Sequence, residues 1–323
     1  MSRIAIYCAG GAGFNVGSHF AKHRGQTERG FASIETYFLD TSRSNMHDHI
    51  TKENLYLLDG TDGSGKVRAS NYNSLVECSK EILHQFKPGD LNIVLHSTGG
   101  GTGSTLGPIL VSELLSRGQM VVAIMIGSTA SRIEVENTIK TLKSYESISA
   151  KRGVPVVAAY RQNGPKASRS QVDAEIQTGI VALAAVFSGE NRELDSADLR
   201  NFLNYHTVTT FAPKLTGLEF FSESIHLGKN QTVVSLATLI DDTLNSDPGC
   251  PVEYQAVGYV PENVKSGGVL PLPLHGCVIS GYYNGIVDSL NDSLKVFDEN
   301  RRVFIEKPIV TGNENAMDDG TIL

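Results

Sequence analysis

The sequence predicts an α/β protein: a doubly wound, mostly parallel sheet joined by a long central helix to a smaller α+β domain, with an extended acidic C-terminal tail. Three observations carry that prediction. Apolar, strand-like runs alternate with helix-period segments through the first half of the chain, as consecutive βαβ units require. Two of the strand-to-helix turns are glycine-rich, one from Ala9 to Gly17 and one from Ser97 to Thr105. After Ser168 the positions Val172, Ile176, Ile180, Val181, Leu183, Ala184 and Phe187 cover much of a helical circumference, the signature of a buried helix.

Composition narrows the function classes. A chain of 323 residues, 40% of them hydrophobic, has room for two domains or one large one. A net charge of -7 argues against a general nucleic-acid binder, which would present a basic face. The opening Met1 to Tyr7 is too short and strand-like for a signal peptide, and no apolar run reaches the roughly 18 residues of a membrane span. A soluble, cytoplasmic protein is expected. Cys8, Cys78, Cys250 and Cys277 lie far apart without a CxxC pair, so they read as buried thiols.

In chain order, Arg3 to Cys8 is an apolar strand, and the first glycine turn leads from it into a helix ending near Gly25. Gly11-x-Gly13 begins a dinucleotide fingerprint, with Asp40 closing the apolar run Ile34 to Leu39 where a ribose-binding acid would sit. Val16 stands where the third glycine belongs, so a NAD-dependent Rossmann oxidoreductase is the alternative reading. Gly60 to Val67 has the spacing of a P-loop, with Lys66 in the lysine position, but Val67 replaces the Mg²⁺-binding hydroxyl. Leu75, Ile82, Leu83 and Phe86 mark one face of a helix that Lys87-Pro88-Gly89-Asp90 stops. Leu91 to His96 is a buried strand, and Leu106, Ile109, Leu110, Leu114 and Leu115 give the helix beyond the second glycine turn. Four glycines between Gly99 and Gly103 let successive N–H groups face one concavity at a helix N-terminus, which is a phosphate cradle.

Met120 to Ile126 and Val154 to Tyr160 are the next strands, separated by a helix that Gly153 caps. Glu136 and Lys140 stand one turn apart on that helix, and Asn163 follows the second of the two strands. Asp195 reads as a helix N-cap with Asp198 in the capping-box position. Beyond Tyr205, strands at Thr207 to Phe211, Glu253 to Val260 and His275 to Tyr283 mix with a helix near Thr232 to Leu244. Ile286, Val287, Leu290, Leu294 and Phe297 define a last amphipathic helix. Thr311 to Leu323 is polar and acidic but ends in Ile322-Leu323, so it is expected to fold onto a neighbour.

Gly99 to Ser104, reading GGGTGS after a strand, resembles the signature loop of the tubulin/FtsZ family. The resemblance continues in order through the first glycine turn, the central helix, the D-x-x-D turn and the second domain. The short chain, the first loop GGAGFN and the acidic tail resemble the bacteriophage-encoded tubulins. The resemblance implies a GTP-binding domain over 1–167, a central helix over 168–190, an activation domain over 191–306 and a polymerisation tail over 307–323. It further implies GTP/GDP and Mg²⁺ as cofactors, with no metal ligand assigned from the protein. Gly10, Gly11, Gly13, Asn15, Gly99, Gly100, Gly101, Thr102, Gly103 and Ser104 would hold the nucleotide phosphates. Glu136 would touch the ribose, Lys140 the phosphates, and Asn163 and Asp173 the guanine. Lys66 or Arg68 would add positive charge near the terminal phosphate. Asp195 and Asp198 would complete the neighbouring subunit's active site, with Glu193 in place of the family's asparagine. The implied partner is a second copy of the chain, head to tail, and neither nucleic acid nor membrane is expected as a direct partner.

Overall fold

The computed structural model describes residues 2–21, 29–165, 167–222, 224–268 and 270–306. Nine strands follow β1 (Arg3–Ala9) in a single sheet. They are β2 (Ser33–Asp40), β3 (Leu55–Leu57), β4 (Leu91–Ser97), β5 (Val121–Ser128), β6 (Val156–Asn163), β7 (Leu215–Phe221), β8 (Thr232–Ile240), β9 (Gln255–Tyr259) and β10 (Leu274–Ser280). The strand order is β3-β2-β1-β4-β5-β6-β7-β10-β8-β9. Every pairing from β3 to β7 is parallel. β10 then pairs antiparallel with both β7 and β8, and β8 pairs parallel with β9.

The helices are α1 (Gly10–Ala21), α2 (Tyr72–Gln85), α3 (Thr102–Ser116), α4 (Arg132–Arg152), α5 (Arg169–Val186), α6 (Ser196–Leu203), α7 (Glu262–Gly267) and α8 (Tyr282–Glu306). Strand period two sends Ile4, Ile6 and Cys8 of β1 into one core, with α1 and α5, and Ala5, Tyr7 and Ala9 into the other, with α2, α3, α4 and α8. Both faces are therefore covered, the condition under which central parallel strands become continuous apolar runs. The central helix α5 starts with a capping box, Ser168 Oγ accepting from Gln171 N while the Gln171 side chain reaches back. Its Val172, Ile176, Ile180 and Ala182 to Val186 are buried.

Two segments differ from the sequence reading. Thr232 to Ile240 is strand β8, not a helix, and Val233 to Ile240 are all buried. Its β-branched residues suit an extended chain, and burial on both faces removes the alternation that would have marked a strand. Thr207 to Phe211 is not a strand. Thr207 and Thr209 hydroxyls donate to the Asn204 and Tyr205 carbonyls at 3.0 and 2.9 Å, a local alternative to a ladder, and β7 begins only at Leu215. The expected end of α1 near Gly25 and the tail over 307–323 lie outside the described residues. Among the described residues no helix is long and apolar enough to cross a membrane.

Helix α3 crosses β4 on a buried glycine. A Cβ on Gly107 would lie 2.5 Å from the His96 ring, and that ring is held by the Tyr145 hydroxyl at 2.6 Å. Helix propensity favours alanine over glycine by about 1 kcal/mol, but overpacking a full core costs about 1–3 kcal/mol. Gly107→Ala is therefore expected to lower unfolding free energy in denaturant titration, against the propensity scale.

Candidate functional site

The sheet order reverses beside β1: β2 lies on one side, β4 on the other, and the connecting helices α1 and α3 leave on opposite faces. Such a switch point opens a crevice at the carboxyl ends of the strands. Both glycine turns meet there. Gly10 takes a left-handed backbone (φ +72), so α1 starts directly from Ala9, and a Cβ on Gly10 would stand 3.3 Å from Gly103 N. A Cβ on Gly103 would lie 2.9 Å from the carbonyl oxygens of Ala9 and Ser97. Two helices of 12 and 15 residues thus bring unpaired N-terminal N–H groups to one point.

The second turn is braced from below. Ser97 Oγ accepts from Gly100 N at 3.0 Å, Ser104 Oγ donates to the Gly100 and Gly101 carbonyls, and Thr105 Oγ1 donates to Gly101 O at 3.0 Å. Buried Asn137 donates to Gly99 O at 3.0 Å and Lys66 O at 2.8 Å, which ties the 63–67 loop to the cradle. Above the turn, Thr102 Oγ1 lies 2.7 Å from Thr41 Oγ1 and 3.1 Å from Ser64 Oγ. A cavity of about 650 Å³ opens over this floor. It is lined by Gly10, Gly11, Asn15, Gly100, Gly101, Thr102 and Gly103 at one end and by Asn163, Arg169 and Asp173 at the other.

The charged groups in its walls are individually placed. Lys66, in a left-handed backbone (φ +63), pairs through Nζ with Glu134 Oε1 at 3.0 Å. Burial would raise the Glu134 carboxyl, but hydrogen bonds from Lys66 and Ser131 outweigh it and hold the group below its ordinary value. Asp40 is raised by burial, which the donors Asn45 Nδ2 (2.8 Å) and Thr41 N (2.7 Å) only partly counter. Burial also raises Asp173, with Arg169 opposing. The buried Asn163 Oδ1 has no hydrogen-bond partner among the described residues. A buried acceptor without a donor is costly, so this atom calls for a ligand or water.

The remaining expected residues lie elsewhere. Gly13 sits behind the cradle, where a Cβ would meet Leu95 O at 2.7 Å, and Gly99 backs onto Glu134. Glu136 pairs with Arg132 instead of Lys140, Lys140 is exposed, and neither lines the cavity. Arg68 turns away from the cavity to the Thr141 and Ser144 hydroxyls, whereas Lys66 lines it. Asp195 and Asp198 form the capping box of α6. Asp195 Oδ1 accepts from Ala197 N and Asp198 N at 2.7 and 3.0 Å, Asp198 Oδ2 from Asp195 N at 3.2 Å, and neither residue lines the cavity. Backbone donors, Asp198 N foremost, hold the Asp195 carboxyl below its ordinary value. Glu134, Asn137, Ser64 and Arg169 escaped sequence reasoning as site residues. A capping acid three residues after Ser131 was the one local signal, for Glu134.

A doubly wound sheet with a polar cavity over two glycine turns defines a nucleotide-binding α/β protein. Residues 3–150 match the GTPase domain of the Tubulin/FtsZ family. A phage tubulin-like protein of Pseudomonas phage phiKZ is 34% identical over 220 residues, covering 64% of this chain and 64% of the relative, so the matched part spans just under two thirds of that protein. The counterpart from Pseudomonas phage 201phi2-1 is 24% identical over 99% of both chains. Among solved structures, the protofilament of TubZ from bacteriophage PhiKZ superposes with a TM-score of 0.82 at 28% identity, over 97% of this chain and 96% of that one. The phage tubulin PhuZ bound to GDP gives 0.83 at 23% identity over 99% of both, a likeness of fold. The matched family model thus covers just under half of the chain, which is similar to the tubulin/FtsZ family and to bacteriophage tubulin-like proteins. The oxidoreductase alternative is not favoured: Val16 is buried where a glycine would be needed, and Asp40 is engaged by Thr41 and Asn45.

His96 supports the cradle from within the core. Its Nδ1 faces Ser97 O at 3.1 Å and its Nε2 the Tyr145 hydroxyl, so the neutral ring satisfies both when Nδ1 carries the proton. Burial lowers the ring pKa to about 4. Between pH 6.5 and about 4 the unfolded chain binds the extra proton and the folded one does not, so stability should fall on acidification through that window. His96→Gln should flatten that part of the pH profile of chemical unfolding, and NMR should find the ring neutral at pH 5.

Proposed function

We propose that this protein binds and hydrolyses GTP and polymerises head to tail into dynamic filaments, each subunit completing the active site of the next. The observation that carries the reading is the cavity itself. Converging N–H groups at Gly10 and Gly103 suit phosphates, and the unpartnered Asn163 Oδ1 at the opposite end suits a base donor. Asp173, beside it, can accept from the N1–H and N2–H edge of guanine, which adenine lacks. The family match and the protofilament likeness support the same reading.

Divalent metal fits the phosphate end. The Ser64 and Thr102 hydroxyls, 3.1 Å apart, and the Asp62 carboxylate all line the cavity and are hard oxygen donors of the kind Mg²⁺ accepts. Bound there, Mg²⁺ supplies charge neutralisation of the phosphate oxygens. The chain's own contribution is fixed N–H dipoles that need no reorganisation as charge moves during phosphoryl transfer. Lys66 adds a cation at the cavity wall, and Glu134, in the first turn of α4, is better placed than Glu136 to meet the ribose.

Asp195 and Asp198 lie outside their own subunit's cavity, so in this reading they orient water over the neighbour's nucleotide. Such a filament would act in the cytoplasm of an infected bacterium, where it would position the replicating phage DNA compartment. Phosphate release per subunit should therefore rise sharply at the concentration where light scattering begins. Flat specific activity without scattering would defeat the shared-site reading. Asp195→Asn separates the two roles of the aspartate, because asparagine caps helices as well as aspartate does. The variant should bind GTP, assemble and fold normally, yet release phosphate at least about a hundredfold more slowly, the scale of a lost general base. Wild-type hydrolysis by Asp195→Asn would leave Asp195 a cap alone.

The tail is proposed to seat on the adjoining subunit through its apolar end. Removal of residues 311–323 should abolish pelleting while leaving GTP affinity of the monomer unchanged; pelleting at the wild-type level would overturn this role.

A further inference from the structure

The parallel ladder between β6 and β7 ends at the pair Ala158–Gly217, while β6 runs on to Asn163. Arg161 fills the gap that opens between the two strands. Two residues before Asn163, it shares that residue's side of the strand. Its Nη1 and Nη2 donate to Glu219 Oε1 and Oε2 at 2.7 and 2.6 Å, a bidentate fork onto β7. Nε pairs with Glu175 Oε2 at 3.0 Å, two residues past Asp173 on α5. Nη1 also donates to Tyr160 O at 2.9 Å. Glu219 in turn accepts from the hydroxyl of Tyr282, the first residue of α8. The Arg161 and Glu219 side chains are 29% and 17% exposed, so their attraction is only partly screened. Burial works against the guanidinium charge, and Glu219 more than offsets it, raising the Arg161 pKa.

We propose that Arg161 is the positioning residue of the base end of the cavity, holding the Asn163 end of β6 and the Asp173 turn of α5 in register against β7. The proposal rests on the guanine reading above. Arg161 does not line the cavity, so its effect passes through the two residues that do. No single-sequence signal marks it, because its partners are 14 residues away on α5 and 58 away on β7.

The test compares GDP and IDP binding to the full chain by calorimetry. IDP lacks the exocyclic amine, so the affinity ratio reports base reading alone. Arg161→Lys keeps the charge but loses the fork. It should reduce the GDP-to-IDP ratio by about three- to tenfold, the span of about one ordinary hydrogen bond. Glu175→Gln cuts only the α5 link at a carboxylate 55% exposed, which makes it the variant that keeps its fold; its ratio should fall about two- to threefold. A purely structural role would lower both affinities together. An unchanged ratio in Glu175→Gln, or in a folded Arg161→Lys, overturns the proposal. Failure of the wild type to bind GDP would instead defeat the guanine reading, before either variant is measured.

Discussion

The closeness of two helix N-termini governs this molecule. Helices α1 and α3 leave adjacent parallel strands at the same edge, and neighbouring strands are only about 4.8 Å apart. Side chains on both first turns would collide, so Gly10 and Gly103 carry none, and their backbones close on each other. That approach is possible because the connections diverge, α1 to one face of the sheet and α3 to the other. It leaves N–H groups from two helices with no intrahelical acceptor in one crevice. The fold thus creates an unmet demand for anionic oxygen as a consequence of its topology.

Charge in the cavity wall explains what kind of anion can satisfy that demand. Four lining carboxylates, Asp40, Asp62, Glu134 and Asp173, face two lining cations, Lys66 and Arg169. In the proposed reading a bare triphosphate would add to a net negative wall, so the dipoles and a divalent cation would carry the compensation. Lys66 is the adjustable member. Its carbonyl is fixed by Asn137, while its half-exposed ammonium reaches Glu134 along a flexible stem. Asn137 therefore sets where the lysine starts, and electrostatics decide where its end goes.

What was legible in the sequence follows from the range of the interactions involved. The glycine turns, the helix start after Ser168, the Gly153 stop and the capping box at Asp195 are local signals, and each stands in the structure at the position the residues indicated. Helix phase was less legible. Glu134 and Glu136 are about 200° apart on α4, so only one can face the cavity. The buried face of α4 contains Asn137, Thr138 and Thr141 beside Val135 and Leu142, which blurs the apolar stripe that would have fixed the phase. Strand β8 was lost for the complementary reason: a strand buried on both faces has no period to read. Arg161 and Asn137 join elements distant in sequence, and no local pattern encodes such pairs.

The α6 capping box bears on how one residue can serve both stability and chemistry. Asp195 directs both of its cap bonds to Oδ1, and Oδ2 makes none among the described residues. An ionised carboxylate has about four acceptor sites, so the cap leaves acceptor capacity pointed outward. The preceding loop is tightly held: Arg192 exchanges two 3.0 Å backbone bonds with Tyr259, and Leu194 packs where a Cβ on Gly258 would be 2.9 Å away. Asp198 is fixed as well, by Asp195 N and the Tyr254 hydroxyl. A carboxylate held this firmly loses little further freedom on meeting a partner, so in the proposed assembly its orientation would be prepared in advance. Under the proposed shared site, capping and water orientation would then be compatible uses of one group: the first fixes the geometry, and the second would use the oxygen left over.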